Sequence, residues 1–226
     1  MIDYEAARRQ MVDCQIRTCD VTDHSILSSF LSVPREEFVP EQFRALAYTD
    51  AIIDLSALQA RAEETRVMHP VAGLARMLEV ACVEPTDVVL LIGAASGYST
   101  AVVSQLASSV FALEVDDRLT KIAEASLQTA GCDNAMVFSS SLENGLPKEA
   151  PYDVIIVEGN VEKIPNKLVD QLSDGGRLVA CIGTGGSAEL TSYVNENGIV
   201  GSLVHGNCSM APISADGFKN SEKFVF

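Results

Sequence analysis

The chain has 226 residues, 47% of them apolar, and 31 acidic against 16 basic side chains give a net charge of −15. That is enough apolar sequence to bury a core. So acidic a surface repels phosphate backbones and anionic lipid, which argues against nucleic acid and membrane as partners. Cys14, Cys19, Cys82, Cys132, Cys181 and Cys208 form no C-x-x-C pair, and His24, His69 and His205 are scattered, so reduced and mostly buried thiols are expected and a metal site is not. The start, Met1-Ile2-Asp3-Tyr4-Glu5, lacks a basic segment before an apolar run, and no stretch approaches the ~20 apolar residues of a membrane span. A soluble, cytoplasmic protein is expected.

Residues 1–82 read as helical with loops. Met11, Ile16, Ile26, Leu27, Phe30 and Leu31 recur at helix-face spacings, with Thr22 as a plausible cap for the helix carrying Ile26 to Leu31. Pro34 and Pro40 bracket a short segment, and Asp50 to Thr65 is polar and irregular, expected as a loop over the later part. Pro70 suits the first turn of a helix through Val71, Leu74, Met77 and Leu78.

The pattern changes at Val88. Val88–Ile92 is a continuous apolar run, as a strand buried on both faces should be. A helix over Ala101–Leu106, a second strand at Val110–Leu113, an amphipathic helix over Leu119–Leu127 stopped near Gly131, and a third strand at Met136–Phe138 follow. Val154–Val157 is a fourth strand, Lys167–Leu172 a helix, and Arg177–Ile182 a fifth strand after a turn at Asp174-Gly175-Gly176. From Glu189 onward, antiparallel edge strands are expected. Strands alternating with helices imply an α/β fold with a mostly parallel sheet and helices on both faces. With no repeat or linker, one domain over 1–226 is expected: a helical N-terminal region at 1–82 and an α/β core at 88–226.

Ile92-Gly93-Ala94-Ala95-Ser96-Gly97-Tyr98 lies directly between a predicted strand and a predicted helix. Glycine permits a tight turn and close approach of a ligand, and open α/β sheets bind ligands beyond the strand carboxyl ends, where this turn sits. Glu114, 21 positions beyond Gly93, ends the second strand, where a carboxylate can accept both hydroxyls of a ribose. A dinucleotide fingerprint G-x-G-x-x-G would need glycine where Ala95 and Tyr98 stand. A ligand without phosphates, such as S-adenosylmethionine, makes fewer demands.

With these residues in place, the chain resembles the protein-L-isoaspartate O-methyltransferases over most of its length. The resemblance rests on Met11-Val12-Asp13-Cys14-Gln15-Ile16, on Val33-Pro34-Arg35-Glu36-Glu37-Phe38-Val39-Pro40 and on Ala45-Leu46-Ala47-Tyr48-Thr49-Asp50. It extends through Ile92-Gly93 with Ser96-Gly97-Tyr98, Ala150-Pro151-Tyr152-Asp153, Ile164-Pro165, and Gln171-Leu172 with Gly175-Gly176. It implies a Rossmann-like S-adenosylmethionine-dependent methyltransferase sheet and methyl transfer from S-adenosylmethionine, leaving S-adenosylhomocysteine, to the free carboxylate of a damaged aspartyl residue in a peptide or protein. It also implies donor binding by Gly93, Ala94, Ala95, Gly97, Tyr98, Glu114, Val115, Ser141 and Leu142.

The departures are equally specific. Leu91 stands where the family has an acid before the first glycine, and Ser141 stands in the acid's place of its Gly-Asp-Gly. Met68 stands at the position of its catalytic serine, and a thioether cannot donate a hydrogen bond to a substrate carboxylate. Glu158, after the fourth predicted strand, brings a second carboxylate, either to the pocket or to a surface loop, and in the pocket it would repel an anionic acceptor. The stretch Ser139–Ser141 reads either as an adenine contact or as a solvated loop. His69 is expected to be structural, and Tyr98 to pack. Literal isoaspartyl methylation, methylation of another acceptor, and a donor-free binding or assembly module all remain open.

Overall fold

Apolar runs buried on both faces place the middle of the sheet. In the computed structural model, which describes residues 2–60, 66–213 and 215–220, the run at 88–92 forms β3 (Val88–Ile92). Its alternate residues feed two cores. Val89 and Leu91 pack with the N-terminal helices, Leu90 and Ile92 with the opposite layer. That two-sided burial is why the run carries no polar alternation.

β4 (Ser109–Glu114), β5 (Ala135–Ser139), β6 (Tyr152–Val161), β7 (Leu172–Ile182), β8 (Glu189–Glu196) and β9 (Ile199–Asn207) complete a seven-stranded sheet. Its order is β5-β4-β3-β6-β7-β8-β9. Pairing is parallel from β5 to β7 and antiparallel from β7 to β9. The chain leaves β3 for β4 and β5, then returns to β3's other side as β6. The switch point of the sheet therefore falls between β3 and β6, the place where such sheets open a ligand crevice. Two short strands, β1 (Ile53–Asp54) and β2 (Val67–Met68), pair antiparallel across 55–66, in a region expected to be all helix and loop.

α1 (Tyr4–Met11) and α2 (His24–Ser32) precede all the strands, α3 (Val71–Ala81), α4 (Tyr98–Ser104) and α5 (Asp117–Thr129) lie between strands in sequence, and α6 (Asn166–Val169) precedes β7. Several boundaries correct the sequence reading. The cap of α2 is Asp23, whose carboxylate accepts from the Ser25 and Ile26 amides, and not Thr22. Pro70 is the residue before α3, not its first turn. The helix expected over Lys167–Leu172 is the single turn α6, because Leu172 already belongs to β7. The expected turn at Asp174–Gly176 is an irregularity inside β7, where the register with β6 shifts between Tyr152 and Val154. The loop expected over Asp50–Thr65 lies partly outside the described residues, at 61–65. Of the six cysteines, Cys132, Cys181 and Cys208 are buried, whereas Cys14 and Cys82 are exposed.

The segment Val33–Asp50 is held by buried charge. Arg35 donates through Nε to the Ala47 carbonyl (2.8 Å) and through Nη2 to the His69 carbonyl (2.7 Å), and its guanidinium lies 4.5 Å from the centre of the Tyr98 ring. Arg8 donates to Tyr48 (2.9 Å) and pairs with Glu36 (3.2 Å), and Tyr48 donates to Glu36. These contacts pin the N-terminal region over the turn that follows β3.

Candidate active site

Register alone assembles the centre of the site. Ile92 is level with Leu113 on one side and with Val157 on the other. The next residues, Gly93, Glu114 and Glu158, therefore emerge together at the carboxyl edge, a carboxylate on each side of a glycine. The two ladders continue differently. From β6 to β7 the register slips between Val157 and Asn160, which leaves Glu158 and Gly159 in a bulge within β6. Bulges re-aim side chains, and here Glu158 is 6% exposed and turned into the site instead of standing on a loop after the strand. Its side chain lines the small cavity beside the turn.

Glu114 is completely buried and richly partnered. Its Oε2 accepts from the Ala95 amide (2.8 Å) and from Arg66 Nη2 (3.0 Å) and Nε (3.3 Å). Its Oε1 accepts from the amides of Val115 (2.9 Å) and Asp116 (3.2 Å). Ala95 reaches it from a left-handed conformation (φ +49°), uncommon for a residue with a Cβ. Gly93 (φ +98°) has no such freedom to lose: a Cβ there would sit 2.9 Å from Arg66 Nη2 and 3.2 Å from the Glu158 carbonyl oxygen. Gly97 (φ +94°) lets α5 approach, because its Cβ would stand 3.2 Å from the Ala123 Cα.

Glu158 has the opposite environment. Burial pushes its carboxyl up to about 7, against the pull of the Ser99 hydroxyl and the Arg66 and Arg35 charges, while Glu114 adds to the rise. Beside it, burial together with the Arg66 and Arg35 charges lowers His69 to about 4, so its ring is neutral at pH 7 and Nδ1 accepts the Ala211 amide (3.3 Å). A small cavity of about 10 Å³ is lined by Arg35, Val67, Met68, His69, Ala94, Ala95, Ser96, Tyr98, Ser99 and Glu158. The Ser96 and Tyr98 hydroxyls are buried without a partner among the described residues. A hollow of about 510 Å³ along β8 and β9 is much larger, but it lies at the far edge of the sheet and carries no group of this cluster.

Of the residues singled out from sequence, Met68, Ala94, Ala95, Tyr98 and Glu158 line one cavity, with Gly93 and Glu114 against them. Val115 adjoins Glu114. Leu142 is buried in the second core, whereas Ser141 is exposed and its side chain caps no helix. Leu91 is enclosed in the first core and brings no charge to the site. Sequence reasoning missed Arg66, Arg35 and Ser96. For Arg66 the sequence carried no local signal, because its partner Glu114 is 48 positions away.

A family model described as protein-L-isoaspartate(D-aspartate) O-methyltransferase matches residues 6–215. A protein-L-isoaspartate O-methyltransferase of Koribacter versatilis is 34% identical over 78% of this chain and 77% of its own length. One of Methanoculleus marisnigri is 32% identical over 91% and 90%. Among solved structures, a protein-L-isoaspartate O-methyltransferase superposes with a TM-score of 0.78 at 23% identity, covering 92% of this chain and 66% of that one. A protein of the same description from Plasmodium falciparum, in complex with S-adenosyl-L-homocysteine, does so with a TM-score of 0.75 at 16% identity, covering 91% and 97%. At such identities the two structures speak to the fold, which is that of the S-adenosylmethionine-dependent methyltransferases. No helix among the described residues is long and apolar enough to cross a membrane.

Proposed function

The chain belongs to the protein-L-isoaspartate(D-aspartate) O-methyltransferase family, and from that premise we propose that it transfers a methyl group from S-adenosylmethionine to the free carboxylate of an altered aspartyl residue in a peptide or protein, a repair reaction. The observation that carries this reading is the level placement of Gly93, Glu114 and Glu158 at the switch point of the sheet. The donor set suits an adenosine sulfonium: a carboxylate for the ribose hydroxyls at Glu114, a glycine at Gly93 for close approach, and buried hydroxyls at Ser96 and Tyr98 in want of partners. Ala94, Ala95 and Gly97 would hold the donor from the turn, and Val115, Ser141 and Leu142 from the adenine side.

When bound, the donor supplies an already activated methyl group, so the chain needs to orient the reactants and exclude water. Met68 and His69 face the acceptor side. Met68 cannot donate, and a neutral His69 has its Nδ1 already engaged. Glu158 removes the objection of a second negative charge: pushed up to about 7, it carries a proton much of the time at neutral pH and can donate to an acceptor carboxylate. Its presence also favours a second reading, in which the donor is the same but the methyl acceptor is not an isoaspartyl carboxylate.

Transfer of labelled methyl from S-adenosylmethionine to an isoaspartyl peptide, with the normal aspartyl peptide as control, tests the proposal. Label confined to the isoaspartyl peptide is expected. A chain that binds the donor but leaves that peptide unlabelled supports the second reading.

A further inference from the structure

The seat assigned to the ribose is already taken by a side chain of the protein. Arg66 is 5% exposed, and its Nε and Nη2 both point at Glu114 Oε2. Together with the Ala95, Val115 and Asp116 amides they give that carboxylate five donors, against about four acceptor positions on an ionised carboxylate. No acceptor position is left for two sugar hydroxyls. The same guanidinium lies over Gly93, filling the space that the missing side chain opens. What remains beside the turn is about 10 Å³, room for roughly one water molecule, whereas sites for ligands of this size run to about 300 Å³ or more.

We propose that Arg66 is an intramolecular competitor of the methyl donor: its guanidinium occupies the ribose seat on Glu114, and S-adenosylmethionine binds by displacing it. This rests on the donor-binding reading above. The backbone at Arg66 is held on both sides of the residue. The Arg66 amide donates to Gln59 Oε1 (3.0 Å), its carbonyl accepts the Leu55 amide (3.0 Å), and the next residue, Val67, pairs with Asp54. With the main chain held there, the guanidinium leaves the carboxylate by rotation of the long side chain. The exchange at the carboxylate is unequal, an ion-paired guanidinium given up for bonds from neutral hydroxyls, so it lowers donor affinity and makes Arg66 a residue that sets it.

Calorimetric titration of S-adenosylhomocysteine into the wild type, Arg66→Ala and Arg66→Gln at pH 8 tests this. Glu114 keeps its three amide donors in both variants, and Arg66→Gln preserves most of the packing should Arg66→Ala fold poorly. Binding about tenfold tighter in either folded variant is expected, including the case in which only a variant binds measurably. Weaker binding, or a gain of less than threefold, overturns the competitor role while leaving donor binding by the wild type intact. Absence of binding in all three at millimolar ligand overturns both this inference and the donor reading.

Discussion

The two flanks of Gly93 carry the same chemical group at the same level of the sheet and treat it in opposite ways. On the β4 flank, Glu114 is ion-paired with Arg66 and cradled by three amides. On the β6 flank, Glu158 sits in a bulge among Met68, His69 and Tyr98, where burial outweighs what Ser99 and two arginines offer. A buried carboxylate that is saturated behaves as a fixed anion, and one that is underpartnered behaves as a proton carrier. The difference divides the site into a half built to hold charge, on the side proposed for the donor, and a half able to shed it, on the side proposed for the acceptor.

The largest effect expected on stability comes from breaking the saturated half. Glu114→Ala leaves the Arg66 guanidinium buried with its principal partner gone, and removing one member of a buried pair costs about 3–5 kcal/mol. Urea unfolding should show that loss, and donor affinity should fall tenfold or more with the ribose acceptor gone. Stability within about 1 kcal/mol of wild type would mean that Glu114 and Arg66 are less isolated from water than their burial implies.

The other half should respond with the opposite sign. The folded-state value of Glu158 is raised from 4.5 to about 7. Its contribution to stability is therefore complete below about pH 4.5 and is lost as the pH rises through about 7. At roughly 1.4 kcal/mol per unit, the loss approaches about 3 kcal/mol. Glu158→Gln removes that titration. Relative to wild type, the variant should gain stability steadily between about pH 5 and about pH 8, by up to about 3 kcal/mol, in denaturant midpoints taken across that range. His69, which is lowered and so contributes most above its ordinary value of 6.5, titrates in both proteins and drops out of the difference. A gap that does not change with pH would place Glu158 in contact with solvent and erase the contrast between the flanks.

What could be read in advance follows the range of the forces involved. β3 and β4 were legible nearly to the residue, because a strand covered on both faces must be apolar throughout, and Glu114 was legible as the polar residue that ends one. Glu158 read equally as a pocket residue or as a surface-loop charge, because the residues Glu158-Gly159-Asn160 have no local pattern that separates a loop after the strand from a bulge within it. They form a bulge that β6 carries inside its own length, with Gly159 at φ +152° and Ile213 packed where its side chain would be. Asp23 and Thr22 are neighbours that can both cap, and local chemistry does not choose between them. Arg66 left no trace of its role, since it belongs to no periodic pattern and its partner lies 48 positions away. The saturation of Glu114 is a property of tertiary structure, and the sequence shows its components without their meeting.

The smallest expected effect bears on how the saturated half is built. Ala95 holds φ +49° while its amide donates to Glu114 Oε2. A left-handed conformation costs a residue with a Cβ about 1–2 kcal/mol, and glycine avoids this while losing about 0.5–1 kcal/mol through its greater freedom when unfolded. Ala95→Gly should therefore raise stability by about 0.5–1 kcal/mol and leave donor affinity within threefold of wild type. If the carboxylate is what draws the amide into that conformation, the turn relaxes once the carboxylate is gone. The same substitution made in Glu114→Ala should then gain nothing, a coupling that a double-mutant cycle in urea would resolve. A full gain in both backgrounds would assign the strain to the turn between β3 and α4 itself, and the β4 flank would owe its order to the backbone and not to Glu114.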